Sequence, residues 1–259
     1  MKSIVSQFMH TGKNERTRLF CFHYAGGSGF FYADWFKLLP DTTGVYPVEL
    51  PGRGIRMQES FAASLEEAAQ EFAAELSGFD DKPMVFTGHS MGGILAYLTA
   101  YYLEVQYSIY VKKLFLTSSA PDICASDKMK KIKAEDLTDD EFCEELISFG
   151  ALDSRMMRLR EFREIFLPIA RADFGLVSSF VPNTRMKVSC DISVYGGLYD
   201  LIVQPDKYST WAEYTAGNVT IELMKGDHFF IKAGKKTVCR DIAAYLQARY
   251  SENDSGLCG

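Results

Sequence analysis

The motif that says most about this chain is Thr87-Gly88-His89-Ser90-Met91-Gly92-Gly93. It follows a short apolar, strand-like run, residues 84–86, and precedes a helix-like run, residues 94–98. Gly-x-Ser-x-Gly between a strand and a helix is typical of a nucleophile elbow. In that turn the serine hydroxyl is held at the tip of a sheet, above the N-terminus of the following helix. We therefore predict that Ser90 is a catalytic nucleophile.

The order of residues along the chain then selects a general base. The chain contains four histidines: His10, His23, His89 and His228. In the fold that carries this elbow, the catalytic residues occur in the order serine, acid, histidine, and only His228 follows Ser90. A serine hydroxyl is a poor nucleophile until a base takes its proton. We therefore predict that His228, in a turn after the last strand-like run, is that base.

The base needs a carboxylate that fixes its tautomer and stabilises the imidazolium. Asp200 is the best candidate, because it follows a strand-like run that ends at Gly196-Gly197. Asp206 lies in the same loop and is the competitor, although it could equally be the acid of a helix start. Asp227 neighbours His228, but we expect its side chain to point away from the imidazole.

An acyl-transfer site also needs backbone donors for the developing oxyanion. One is the amide of Met91, the residue after the nucleophile. The other is expected from the loop after an early strand, and residues 23–29, His-Tyr-Ala-Gly-Gly-Ser-Gly, have that position. The alternative for this segment is an ordinary glycine-rich turn. It lacks the G-x-x-x-x-G-K-[ST] pattern of a phosphate-binding loop.

Strand-like and helix-like runs alternate along the chain. The strand-like runs are residues 18–22, 45–50, 84–86, 113–117, 191–195 and 219–224. The helix-like runs include residues 30–39, a segment from Ser64 to about residue 76, residues 206–214 and residues 237–248. Ser64 with Glu67 three residues later forms a capping box. This alternation predicts one α/β domain over residues 1–259, with a mostly parallel central sheet covered by helices on both faces.

Residues 125–185 interrupt the alternation, because they contain helical patterns and no convincing strand. Thr138 followed by three acidic residues marks one helix start, and Pro168 is expected to kink or break a later helix. Helices inserted at this point of an α/β sheet usually lie over the carboxyl ends of the strands. We predict a helical lid over an acyl pocket; the alternative is that these helices only extend the core.

The composition of the chain limits the classes of protein to which it can belong. The chain has 259 residues and a formal net charge of −6, which argues against nucleic-acid binding. Its six cysteines are scattered, with neither metal-ligand nor disulfide-framework spacing. There is no signal-peptide pattern and no apolar run near the ~18 residues of a membrane span. We expect a cytoplasmic monomer without a bound metal or cofactor and without membrane contact.

Several motifs together resemble a known family, the type II (editing) thioesterases of non-ribosomal peptide and polyketide synthesis. The vertebrate medium-chain fatty-acyl thioesterase belongs to the same group. The matching runs are residues 20–27, Glu49-Leu50-Pro51-Gly52-Arg53, residues 88–93, Arg171-Ala172-Asp173-Phe174, residues 196–200 and Gly226-Asp227-His228-Phe229. They occur in the family's order and span most of the chain, so together they are more specific than the elbow alone.

The resemblance implies an α/β-hydrolase with an inserted helical lid that hydrolyses acyl groups from the phosphopantetheine arm of a carrier protein. It places the triad on Ser90, Asp200 and His228, and the oxyanion donors on the amides of Ala25 and Met91. It implies no cofactor other than the arm on the partner. Two further matching positions, Arg53 and Asp173, are interpreted as members of structural ion pairs.

Three alternatives remain at this point. The same triad could serve a small-molecule carboxylesterase or lipase, or an acyltransferase, and the fold could also persist as a non-catalytic binding module. Carrier proteins are acidic, so a basic docking face is expected. Its candidates are Arg155, Arg158, Arg160 and Arg163. The competing interpretation is a solvated helix face on which these arginines pair with Glu161 and Glu164.

Overall fold

A six-stranded parallel sheet in the order β2-β1-β3-β4-β5-β6 forms the centre of the molecule. The computed structural model describes residues 4–255 apart from 124–128, 130, 131, 133–135, 149, 151 and 153. The strands are β1 (Thr17–Phe22), β2 (Thr43–Val48), β3 (Met84–His89), β4 (Lys113–Thr117), β5 (Asp191–Gly197) and β6 (Val219–Met224). The predicted parallel sheet is confirmed.

Helices cover both faces of this sheet. They are α1 (Leu65–Leu76), α2 (Met91–Tyr107), α3 (Asp139–Ser148), α4 (Arg160–Ser179) and α5 (Ile231–Ser255). Successive side chains of a strand point to opposite faces, and β1 shows the result. Phe20 and Phe22 lie in the core with α1 and α2, whereas Leu19 and Cys21 lie in the core with α5. Burial on both faces explains why residues 19–22 of β1 are continuously apolar.

The N-cap bond of the capping box predicted for α1 is present, and the return bond from Glu67 goes to the residue before the N-cap. Ser64 is the N-cap, and its hydroxyl accepts a hydrogen bond of 3.0 Å from the amide of Glu67. The Glu67 carboxylate reaches back and accepts one of 2.9 Å from the amide of Ala63. The bond to Ser64 satisfies an amide that a helix start would otherwise leave unpaired, and the bond from Ala63 fixes the chain that enters the helix. The apolar face that follows packs against α2 in the core.

Two helix-like runs form 3₁₀ structure and not α-helix. The first gives separate turns at Gly29–Tyr32 and Trp35–Leu38, and the second a turn over Pro205–Glu213. In the first, the hydroxyl of Tyr32 donates a 2.9 Å hydrogen bond to the carbonyl of Phe22 at the end of β1. This tertiary anchor, together with the burial of Trp35, outweighs the helical spacing.

Among the described residues between β4 and β5, α3 and α4 lie within the segment predicted as a lid. Thr138 precedes α3 as predicted, and its hydroxyl accepts a 3.3 Å hydrogen bond from the amide of Glu141. Of the kink or break expected at Pro168, the break is wrong, because α4 continues through this residue. Pro168 is exposed, so water can solvate the Glu164 carbonyl that the missing N–H leaves unpaired.

The strand order reverses between β1 and β3, since the chain proceeds from β1 to β2 on one side and to β3 on the other. In open α/β sheets such a reversal creates a crevice at the carboxyl ends of the strands, where ligands bind. The loop after β1 and the turn after β3 meet at this crevice. These are residues 23–29 and Ser90, the two segments singled out from the sequence.

Candidate active site

Ser90 lies on a strained turn between β3 and α2. Its backbone has φ 56° and ψ −120°, a conformation that L-residues rarely adopt and that persists only when the surroundings impose it. The neighbouring glycines show why. A Cβ on Gly88 would lie 2.2 Å from the carbonyl oxygen of Gly92, and one on Gly92 would lie 2.0 Å from that of Phe22. The turn therefore requires glycine at both positions, and it presents the hydroxyl of Ser90 at the crevice.

The structure brings the three predicted triad side chains together. Nε2 of His228 lies 2.9 Å from Oγ of Ser90, and Nδ1 of the same ring lies 2.8 Å from Oδ2 of Asp200. All three residues are buried, with 8%, 3% and 4% of their surface exposed for Ser90, His228 and Asp200. Both ring nitrogens are therefore engaged in the way that a serine–histidine–aspartate relay requires.

Four donors surround the carboxylate of Asp200. Oδ1 accepts hydrogen bonds from the amides of Ile202 (2.8 Å) and Val203 (3.0 Å). Oδ2 faces His228 and accepts a 3.1 Å bond from the hydroxyl of Tyr208. Burial alone would raise the pKa of Asp200, but the neighbouring His228 and these amides outweigh it, so the pKa is lowered and the carboxylate is charged at neutral pH.

The other two acid candidates do not contact the imidazole. Asp206 is exposed at the start of the 3₁₀ turn Pro205–Glu213. Oδ1 of Asp227 accepts a 2.8 Å hydrogen bond from the amide of Phe229 and so braces its own loop. Of the three carboxylates, Asp200 is the one placed to orient His228.

Two supporting residues had no signal in the sequence. The first is Tyr208, which donates to Asp200 from the turn eight residues further along the chain. Burial and the adjacent carboxylate raise its pKa, so it stays protonated and donates. The second is Ser118, after β4, whose hydroxyl donates a 2.7 Å hydrogen bond to the carbonyl of His228. Serine and tyrosine occur throughout the chain, so these two could be found only from coordinates.

The residues predicted as oxyanion donors lie beside the nucleophile. Ala25, Ser90 and His228 line one small pocket of about 30 Å³. Met91 is the first residue of α2, where amides lack an intrahelical acceptor. Among the described residues, neither the Ala25 nor the Met91 amide donates a hydrogen bond to a protein atom. Both amides are therefore available to a ligand, and their role as oxyanion donors stays a prediction.

Arg53 and Asp173 form a buried ion pair with each other, which confirms the interpretation of both as ion-pair residues. Nη1 of Arg53 lies 2.5 Å from Oδ2 of Asp173, and Nη2 lies 2.6 Å from Oδ1. The pair also touches the loop after β1. Oδ2 of Asp173 accepts a 2.7 Å hydrogen bond from the amide of Gly26, and Nη1 of Arg53 lies 3.3 Å from the carbonyl oxygen of Gly27.

A second, larger groove opens next to the nucleophile pocket, and Tyr24 lines both. Its volume is about 950 Å³. One wall is the loop after β1 with its 3₁₀ turns, and the other is the N-terminal half of α4. Its lining is mostly apolar and includes Phe30, Phe31, Met57, Phe162, Ile165 and Phe166. A long, largely uncharged substrate could lie along it and end at Ser90.

The arginines considered for docking are largely occupied on the helix surface. Arg160 pairs with Glu164 at 2.7 Å, as expected for a solvated face, and Arg163 pairs with Asp140 of α3 at 2.7 Å. Exposed ion pairs of this kind contribute little to stability. Arg158, Arg160 and Arg163 also border an open surface groove of about 580 Å³. For Arg160 and Arg163 the pairing supports the interpretation as a solvated helix face.

In the described part of the chain, no group of three or more histidine, cysteine, aspartate or glutamate side chains is placed to hold a metal ion. Nor does any helix in that part have the length and apolar character needed to cross a bilayer.

His89 of the elbow motif makes stability sensitive to acid. It is fully buried, and burial together with the nearby His228 lowers its pKa well below 6.5. Below about pH 6.5 the unfolded chain takes up a proton at His89 that the folded chain does not. The free energy of unfolding therefore decreases as the pH is lowered. We expect His89→Asn, which keeps a polar group near Thr117, to flatten this dependence in urea unfolding between pH 7.5 and 5. The exposed His10, changed to Asn, is the control; an unchanged slope in His89→Asn would contradict the assignment.

A parallel sheet with this strand order, and a serine at the turn after β3 that is linked through histidine to aspartate, defines the class of α/β-hydrolases. Within that class, the sequence model of the Thioesterase domain family matches residues 17–246. The chain therefore belongs to this thioesterase family, whose members are hydrolases acting on thioesters. The family resemblance found in the sequence motifs is confirmed.

Individual relatives of the family align with nearly the whole length of this chain. The human medium-chain S-acyl fatty acid synthase thioesterase is 30% identical over 91% of this chain and 89% of its own. LgrE of Brevibacillus parabrevis, described as linear gramicidin dehydrogenase, is 31% identical over 89% and 88%. Among solved structures, the type II thioesterase BorB of the borrelidin biosynthetic cluster is 25% identical. The match covers 93% of this chain and 98% of that of BorB, with a TM-score of 0.80.

Proposed function

We propose that this thioesterase removes acyl or aminoacyl groups from the phosphopantetheine arm of a carrier protein, and that it edits stalled or misprimed synthases. The observation that carries the chemistry is the contact chain from Ser90 through His228 to Asp200, with 2.9 Å and 2.8 Å between the heavy atoms. Type II thioesterases such as BorB, whose fold this chain shares, support the choice of a carrier-bound substrate.

The proposed reaction has two stages. His228 takes the proton of Ser90, and Oγ attacks the thioester carbonyl. The amides of Ala25 and Met91 hold the oxyanion of the tetrahedral intermediate. The intermediate collapses, the carbon–sulfur bond breaks, and the pantetheine sulfur leaves with the proton from His228. Water, deprotonated by His228, then attacks the acyl-serine and releases the acid, while Asp200 stabilises the imidazolium in both stages.

The two cavities support a substrate that has two parts. The pocket at the nucleophile is small, about 30 Å³, and apolar side chains such as Phe174 and Val177 of α4 line it. The groove that continues from Tyr24 is much larger and open. We assign the small pocket to the acyl group and the groove to the pantetheine arm. Because α4 contributes to both cavities, we propose the segment 125–185 as a lid whose position controls access to them.

A comparison of substrates tests this proposal directly. Hydrolysis is measured for one acyl group presented in three forms: on a holo-carrier protein, on free pantetheine and as a simple alkyl ester. Carrier editing predicts the highest kcat/KM for the carrier thioester, with free acid and free holo-carrier as products. Equal or better turnover of the alkyl ester would instead indicate a carboxylesterase or lipase. Ester products formed with added alcohols would indicate acyl transfer.

A further inference from the structure

We propose that Arg53 and Asp173 are positioning residues, which hold the backbone of the loop after β1 so that the Ala25 amide points at the oxyanion. In this arrangement α4, which carries Asp173, must be seated on the loop for the oxyanion site to be complete. The inference rests on the proposed hydrolytic role of Ser90 and adds a structural requirement to it. It is independent of whether the acyl group arrives on a carrier protein.

The hydrogen bonds of the loop carry this inference. Three amides of the loop donate hydrogen bonds. Gly26 donates to Asp173 (2.7 Å), Gly27 donates to the carbonyl of Tyr24 (2.8 Å), and Gly29 donates to Glu49 (3.1 Å). Ala25, between these anchored positions, keeps its N–H unused within the described chain. The direction of the Ala25 N–H is set by the residues on either side, and the following amide, that of Gly26, is held by Asp173.

The ion pair is built as a clamp. Arg53 bridges to Asp173 through two nitrogens, and one of these also reaches the carbonyl of Gly27. The pair therefore binds two consecutive residues of the loop: Asp173 accepts from the amide of Gly26, and Arg53 donates to the carbonyl of Gly27. The planar guanidinium makes several hydrogen bonds in a fixed geometry, which an ammonium cannot reproduce. Only 3% of Arg53 and 0% of Asp173 is exposed, so water cannot replace either partner.

Packing connects the clamp to the predicted lid. Gly26 has φ +79°, and a Cβ there would lie 3.1 Å from the ring of Phe166 and 3.4 Å from the Cβ of Ala170, both on α4. The helix therefore lies directly against the loop. Phe174, the residue after Asp173, lines the nucleophile pocket. A shift of α4 away from the loop would therefore remove the carboxylate that accepts from the Gly26 amide. The same shift would displace Phe174, which forms part of the pocket wall.

Two conservative substitutions test the clamp. Asp173→Asn keeps the shape but has one acceptor oxygen, so its NH₂ group replaces an acceptor and the two-point pair with Arg53 is lost. Arg53→Lys keeps the charge but loses the two-nitrogen geometry of the guanidinium. Arg18→Lys is the matched control, because Arg18 is a partly buried arginine that forms a two-point pair with Asp81 at 2.5 and 3.2 Å, at the opposite end of β1. All four proteins are assayed with p-nitrophenyl acetate, and the working sites are counted with a fluorophosphonate titrant.

A lost oxyanion donor typically lowers kcat by ~10²- to 10³-fold. We expect each clamp variant to lower kcat per titrated site by about 10- to 100-fold, since the donor is displaced rather than removed. A trifluoromethyl ketone, which forms an oxyanion on Ser90, should lose affinity by a similar factor, while KM changes less than about threefold. Arg18→Lys should leave both quantities near wild type.

Several outcomes would overturn the inference. One is a variant with fewer titratable sites, each at wild-type kcat, because that is the behaviour of a purely structural pair. Another is unchanged affinity for the trifluoromethyl ketone in both clamp variants. If Asp173→Asn does not fold, Arg53→Lys decides alone. Wild-type hydrolysis of p-nitrophenyl acetate without cleavage of carrier thioesters would refute carrier editing and leave this test intact.

Discussion

Ser90→Ala should reduce thioester hydrolysis by on the order of 10⁴-fold or more while leaving the fold unchanged. Without the hydroxyl there is no atom to form the acyl-enzyme, and water must attack the bound thioester directly. The alanine keeps the Cβ in the same position, so the strained backbone at φ 56° meets no new contact. The measurement is kcat/KM on an acyl-carrier thioester, together with a thermal unfolding curve. A fluorophosphonate probe that labels the wild type should not label the variant.

A matched control is available on the helix that Ser90 begins. Ser108, at the C-terminal end of α2, also has a left-handed backbone with φ 56° but is exposed. Ser108→Ala should therefore keep full activity and full probe labelling. Hydrolysis by Ser90→Ala at the wild-type rate would exclude Ser90 as the nucleophile. Normal hydrolysis with lost labelling would show that the probe and the substrate use different groups.

Much of this architecture could be predicted from the sequence, because the informative signals are local. A strand, a turn that tolerates only glycine at two positions and a helix are adjacent in the chain, so Gly88 and Gly92 identify the elbow around Ser90. His228 followed from the order of residues alone. The side chains it had to meet are 138 and 28 residues away, yet the parallel topology brings the carboxyl ends of β3, β5 and β6 to one edge of the sheet.

The features that could not be predicted depend on contacts distant in the chain. Nothing near Arg53 indicates that it binds Asp173, 120 residues later, or that Asp173 accepts from Gly26, 147 residues earlier. Local reasoning also left open whether Pro168 would kink or break its helix, and the helix does not break there. The rule that proline breaks a helix assumes that the freed carbonyl has no partner, but this proline lies on the exposed face of α4, where water is available.

Asp200→Asn should lower kcat by about 10⁴-fold with little change in stability, because it fixes His228 in the wrong tautomer. The oxygen of the new amide must occupy the Oδ1 position, since two backbone amides, those of Ile202 and Val203, donate there. The NH₂ group then faces Nδ1 of His228 at the position where Oδ2 lies 2.8 Å away. It donates to Nδ1, the ring proton moves to Nε2, and Nε2 can no longer take the proton of Ser90.

The two rejected acids provide the controls for this substitution. Asp206→Asn changes an exposed side chain, and Asp227→Asn changes a side chain that accepts a hydrogen bond within its own loop. Both variants should therefore retain kcat within a few-fold of wild type. The tautomer can be read directly from the ¹⁵N shifts of the His228 ring, which should show Nδ1 protonated in the wild type and Nε2 protonated in Asp200→Asn. A loss of activity in Asp206→Asn equal to that in Asp200→Asn would mean that the acid is misassigned. A 10⁴-fold loss without the tautomer change would leave the assignment of Asp200 but refute this account of how it acts, since the carboxylate would then work mainly by stabilising the imidazolium charge.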